Sequence, residues 1–188
     1  IDFAAAVATG EFRVRISGMQ TAPCKLVTSV DVWESLSFTA TAATQLRAVL
    51  FWNGGANDVQ WVWGDGTVET PINSGQSTHN YGSAYTGPVL LRWRRNAEIT
   101  RIDMRGIAQW GLSLAAQSLP SSLTRFLAGG TTSSIIGTAT DLPAGLTQLN
   151  LEATTSAIRG TAAQLPDGLT VLHLGSTQSE INGPTSDL

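Results

Sequence analysis

Two spacings of apolar residues divide the chain, a period of two up to about residue 95 and a fixed longer unit further on. In EFRVRIS (11–17) Phe12, Val14 and Ile16 alternate with Arg13 and Arg15, which predicts a strand with one exposed face. LVTSVDVW (26–33) predicts a second strand. Further runs follow at LSFTATA (36–42), LRAVLFW (46–52), VQWVW (59–63) and VLLRWR (89–94). Turn residues stand between them, Asn53-Gly54-Gly55 before the third of these runs and Gly64-Asp65-Gly66 after it. Short strands at such intervals predict a β-sandwich over 36–96. Residues 1–35 form an extension of attachment strands ahead of it, and the small apolar residues 1–10, which have no decisive period, read as an arm or linker.

From Leu119 the pattern changes. LPSSLTRFLAGGTTSSIIGTATD (119–141), LPAGLTQLNLEATTSAIRGTAAQ (142–164) and LPDGLTVLHLGSTQSEINGPTSD (165–187) are one 23-residue unit written three times. A repeat of that length predicts a solenoid. The spacing L-x-x-L-x-L turns Leu146, Leu149 and Leu151 inward in the middle copy, and Leu169, Leu172 and Leu174 in the last, on one short strand per unit. Pro143 and Pro166 cannot donate a ladder hydrogen bond and belong in the turn ahead of the strand. AEITRIDMRG (97–106) sets Ile99, Ile102 and Met104 at the same spacing, so 97–118 reads as a degenerate first coil whose exposed end the sandwich covers. Asp187-Leu188 begins a fourth copy, which implies that the chain continues or that a partner covers this end. The stacked strands predict a parallel sheet with one outward face, carrying Arg101 and Asp103, Arg125 and Leu127, Gln148 and Asn150, and Val171 and His173.

Both halves carry family resemblances. The repeats resemble leucine-rich repeats of the short bacterial kind, with an LP-x-GLT-x-L-x-L core and an Ile-x-Gly return. The first copy departs from this with Phe126 and Ala128 in place of Leu, and Thr131, Thr154 and Thr177 stand where many such repeats have Asn. VQWVWGDGTVET, followed by His79-Asn80-Tyr81, resembles the PKD domain, an immunoglobulin-like sandwich with a W-x-F-G-D-G-T turn and a later H-T-Y. Trp61, Gly64, Asp65, Gly66, Thr67, His79 and Tyr81 match, while Trp63 replaces Phe and Asn80 replaces Thr. Asp65 is expected to cap its own turn through backbone amides, calcium ligation being the alternative. The resemblance makes His79 a structural residue rather than a base or ligand. Together the resemblances imply an all-β chain, a PKD-like sandwich followed by a short leucine-rich solenoid, similar to bacterial surface proteins and phage structural proteins.

Charged residues make up 13% of the 188, against a usual share of roughly 25%, and the net charge is −3. That balance suits an extracellular or virion protein and gives no overall basic signal for nucleic acid. The lone Cys24 excludes an intramolecular disulfide and a Cys-based metal site within one chain; it reads as a half-buried small side chain or an intermolecular thiol. No apolar run is long enough to span a membrane. IDFAAAVATG lacks the basic start and apolar core of a signal peptide, and with Ile1 first the reading is that an upstream part has been removed.

No catalytic constellation is legible. The histidines are His79 and His173, with no G-x-S-x-G, P-loop, dinucleotide fingerprint or H-E-x-x-H, and Asp58, Asp65 and Glu69 are scattered carboxylates. No enzyme, cofactor or metal is therefore expected. Trp61 and Trp63 share a strand face, while Trp33, Trp52 and Trp110 lie at element ends, as core residues or as an exposed contact surface. Arg92, Arg94 and Arg95 flank Trp93 and are expected to pair with Asp103 and Glu98 or to meet a neighbouring subunit. The outward face lacks an aromatic platform and reads as a solvated surface or as a site for a protein or glycan at a cell surface. The expected function is a non-catalytic adhesion module of a bacterial surface. The alternative is a virion protein, such as a tail fibre or capsid decoration protein, that forms a homo-oligomer or binds other virion proteins.

Overall fold

The chain is all-β, and the computed structural model describes residues 2–5, 12–15, 32–55, 57–71, 73–175 and 177–183. Strand β1 (Asp2–Ala5) pairs antiparallel with β2 (Phe12–Arg15), Phe3 facing Val14, so part of the expected arm is a strand. This pair belongs to one compact unit, residues 1–32, and everything below to another, residues 33–188. Cys24 and most of the strand expected at 26–33 lie outside the described residues.

Two of the expected strands prove to be one. β3 (Trp33–Asn53) runs antiparallel to β6 (Gly75–Arg94) from Trp33 opposite Arg94 to Leu50 opposite Gly75. The segment 43–45 contains neither Gly nor Pro, so nothing ends the strand there; instead the register shifts between Ala40 and Ala43 and again between Ala43 and Gln45. Ala42 takes a positive φ of 47° at the first shift. Leu36, Phe38 and Ala40 point inward, the inward set then moves to Ala43, and the second shift restores it at Leu46, Ala48, Leu50 and Trp52. Two odd steps thus cancel, and both halves of the strand feed one hydrophobic core.

β4 (Val59–Val62) pairs with β6, and β5 (Val68–Glu69) with β4. On the other side of β3 lies β7 (Glu98–Asp103), antiparallel to it. β8 (Trp110–Gly111) pairs with β3 at Ala40 and Thr39. The strands expected as a sandwich therefore belong to one hydrogen-bonded sheet, and that sheet continues into the repeats. β7 pairs parallel with β10 (Arg125–Leu127), β10 with β12 (Gln148–Asn150), and β12 with β14 (Val171–His173). The opposite wall is a second parallel sheet of β9 (Ser113–Ala115), β11 (Ser134–Thr138), β13 (Ala157–Thr161) and β15 (Glu180–Asn182).

Repeat positions explain how a coil closes. Ile102, Phe126 and Leu149 are wholly buried in one row between the two walls, with Leu172 half-buried after them. Thr131 and Thr154 each donate a hydroxyl hydrogen bond to the carbonyl three residues back and accept the amide two residues on, and Thr177 does the same. The Thr positions thus close turns within a coil instead of forming a ladder between coils. Between coils, the Ser156 and Ser179 hydroxyls accept the amides of Ile135 and Ile158. A second hydroxyl row, Thr124, Thr147 and Thr170, donates to the carbonyls of Thr100, Thr124 and Thr147. Gly137 recurs as Gly160 for a steric reason, since a Cβ at either would press on Ala116 or Ala139 of the coil before at 2.9 and 3.1 Å.

Leu149→Ala is expected to cost about 2–5 kcal/mol, because the walls on both sides cannot collapse into the space. Leu149→Asp is expected to leave the coils unfolded, and an unchanged melting temperature would contradict the register. Ala153, held at φ 55° in the turn after β12, is expected to gain stability on change to Gly, by about 0.5–1 kcal/mol in urea unfolding.

Candidate binding face

Because β3 hydrogen-bonds β7, the outward face of the coils does not stop at the first coil. Phe51 stands opposite Arg101, which stands opposite Arg125, then Gln148, then Val171. A second row runs from Gln76 through Val49, Asp103, Leu127 and Asn150 to His173. Neighbouring strands lie about 4.8 Å apart, so each row is a ladder of adjacent side chains.

The two rows differ in exposure. Arg125 and His173 are exposed, and Arg101, Gln148 and Val171 are half-buried. Asp103, Leu127 and Asn150 are buried, so these three of the eight expected positions are not open surface. Asn150 is folded inward: its Oδ1 accepts the Glu152 amide, its Nδ2 lies 3.2 Å from His173 Nδ1, and it fills the space that a Cβ on Gly129 would need. Phe51, 40% exposed, supplies an aromatic ring that the repeats alone lack. It was not among the residues expected on this face; the signal was the alternation of LRAVLFW, which sets Phe51 opposite in sense to Leu50 and Trp52, while the strand it adjoins was not legible.

Asp103 is the charged hub. Its carboxylate accepts from Arg101 Nη2 at 2.7 Å and from Arg105 Nε and Nη2 at 3.0 and 2.9 Å. Burial pushes its pKa up most strongly, but the hydrogen bonds from Arg105 and Arg101 together outweigh it and hold the carboxyl below its ordinary 3.8. Arg105, raised by the same bond, separates two shallow grooves of about 390 and 370 Å³, one toward Arg47 and Gln76, the other toward Gly129, Asn150 and Glu152.

The second candidate constellation is a structural turn. Asp65 Oδ1 accepts the Thr67 amide at 2.9 Å and Oδ2 lies 2.8 Å from His79 Nε2. The Thr67 amide and then His79 lower the Asp65 pKa. His79 stacks on Trp63, and the Tyr81 hydroxyl donates to the Trp63 carbonyl at 2.9 Å. Gly64 has φ 85°, and any Cβ there would collide with the Tyr85 hydroxyl and the Pro88 carbonyl. Burial, then the Asp65 charge, raises the Tyr81 pKa well above its ordinary value. Asp58 and Glu69 are equally committed, Asp58 to the Gly55 amide and Glu69 to Trp63 Nε1. Among the described residues no three His, Cys, Asp or Glu side chains are grouped to hold a metal, and no helix is long and apolar enough to cross a membrane.

Of the two alternatives for Trp52 and Trp110, core or contact surface, the core holds: Trp110 is wholly buried against Phe38, Trp61 and Trp63 and donates to the Arg47 carbonyl at 2.8 Å, and Trp52 is buried too. One other expectation is corrected. Arg92 and Arg94 do not reach Asp103: Arg92 donates to Gln60, Arg94 lies 3.7 Å from Asp58, and both guanidiniums cover Trp33. The reason is topological, since β3 separates β6 from β7. No protein-family model, curated protein or solved structure matches the chain.

Because folding lowers the Asp103 pKa, its stabilisation is fully present above the ordinary 3.8 and is lost as pH falls through the lower folded value. Asp103→Asn is therefore expected to cost about 1–3 kcal/mol at pH 7. In urea unfolding the gap from the parent should narrow toward pH 2; an equal gap at both pH values would contradict the account.

Proposed function

We propose that the chain is a non-catalytic recognition or adhesion module that binds a protein or glycan through the outward face of its continuous sheet. The observation that supports this reading is the row Phe51, Arg101, Arg125 and Gln148, in which an aromatic ring, two guanidiniums and an amide stand side by side on adjacent strands. The fold reading that accompanies it is a PKD-like module whose sheet runs into leucine-rich coils; the Asp65–His79 turn and the 23-residue spacing support it. Low charge and hydroxyl-closed coils support an extracellular setting, on a bacterial surface or a virion.

A second reading has its own support. Leu169, Leu172, Leu174 and Ile181 of the last described coil are only half-buried, whereas Leu146, Leu149, Leu151 and Ile158 one coil earlier are 0% exposed. A copy of the chain stacked there would give the symmetric virion component.

Replacing Arg125, Gln148 and His173 together with Ala is expected to abolish binding to partners found on a panel of matrix proteins and immobilised glycans, at an unchanged melting temperature. Intact binding would move the site off the face. In light scattering a monomer supports the first reading, and a closed oligomer that Leu172→Glu dissociates supports the second.

A further inference from the structure

Strand register places Arg101 directly beside Arg125, an arrangement of like charges that costs stability unless something between them is negative. The coil does not require it, because the same row continues with the neutral Gln148 and Val171. Arg101 is held from two sides, by Asp103 at 2.7 Å and by the Phe51 ring, whose centroid lies 5.3 Å from the guanidinium carbon. The Arg125 guanidinium makes no hydrogen bond, ion pair or ring contact with another described residue. Arg47 and Arg105 add positive charge on the same side. Against these stand Asp103, already shared by two arginines, and at the flanks Glu98, held by Asn53, and the exposed Glu152. In a chain of net charge −3 this is a local positive surface.

Resting on the reading of this face as a binding surface, we infer that Arg101 and Arg125, with Phe51 beside them, form a site for a carboxylate-bearing saccharide. The chemistry is complementary group by group. One oriented guanidinium and one without a partner grip a carboxylate between them. The exposed Phe51 ring takes the apolar side of a sugar ring, and the Gln148 amide serves the hydroxyls. An acidic peptide uses the two arginines equally well but leaves Phe51 and Gln148 without a task.

The test is calorimetric titration at low salt with galacturonate oligomers, neutral dextran oligomers and poly-L-glutamate. Galacturonate is expected to bind, dextran to show no binding, and poly-L-glutamate to bind at least tenfold more weakly than galacturonate. Arg125→Gln is expected to weaken galacturonate binding at least tenfold and Phe51→Ala several-fold, while Arg159→Gln, an exposed arginine on the other wall, leaves it unchanged. The inference is overturned by absent galacturonate binding, by poly-L-glutamate binding as tightly, or by equal losses in Arg125→Gln and Arg159→Gln. If galacturonate fails while panel partners are still lost in the triple Ala variant, this inference falls and the binding face stands.

Discussion

The structure depends on the pairing of β3 with β7. A parallel stack of coils has no natural beginning, since its first strand offers unpaired amides and carbonyls and its first inward row has nothing to pack against. β3 supplies both needs. Its backbone pairs antiparallel with β7, and the residues on its inner side, Leu46 to Trp52, belong to the same core as Ile99, Ile102 and Met104. Trp110 seals the joint, because its ring packs on Phe38 and Trp61 while its indole nitrogen donates to β3 at Arg47.

The same pairing decides what the outer surface looks like. Strand order alone would make the repeats a separate ladder, but the register carries the ladder onto β3, so Phe51 becomes a neighbour of Arg101 and Val49 of Asp103. Away from that face the coils are closed almost entirely by hydroxyls and small residues: Thr131 and Thr154 within turns, Ser156 and Ser179 between coils, Gly137 and Gly160 against the alanines of the previous coil. A surface built with so few charges makes the arginine group around Asp103 chemically distinct.

Most of the local structure was legible in the sequence, because period two and the 23-residue unit are direct consequences of which side chains must be inside. The inward row Ile102, Leu149 and Leu172 followed from spacing alone, and the turn at Asp65 from its residue types, Gly64-Asp65-Gly66. What spacing could not convey was anything fixed by pairing between distant strands. The run through 43–45 looked like a break because Thr44 and Gln45 are polar, yet two compensating register shifts let one strand pass through. Trp110 stood at an element end with core and contact surface both open, and its packing on Phe38, Trp61 and Trp63, residues distant in the chain, is what decides for the core. Asp103 and Asn150 alternate correctly, but Asp103 is drawn in by Arg101 and Arg105, and Asn150 by the Glu152 amide beside Gly129.

The central claim is that β3 and the coils unfold as one cooperative unit across the β7 seam. All six tryptophans lie at or before residue 110, so tryptophan fluorescence reports the first part of that unit, and circular dichroism reports the strands of the whole chain. Equilibrium urea unfolding followed by both signals tests the claim directly. Coincident transitions with one midpoint are the predicted result. A dichroism transition that is complete before the fluorescence changes, or that persists after it, would contradict the account and make the coils an independent body.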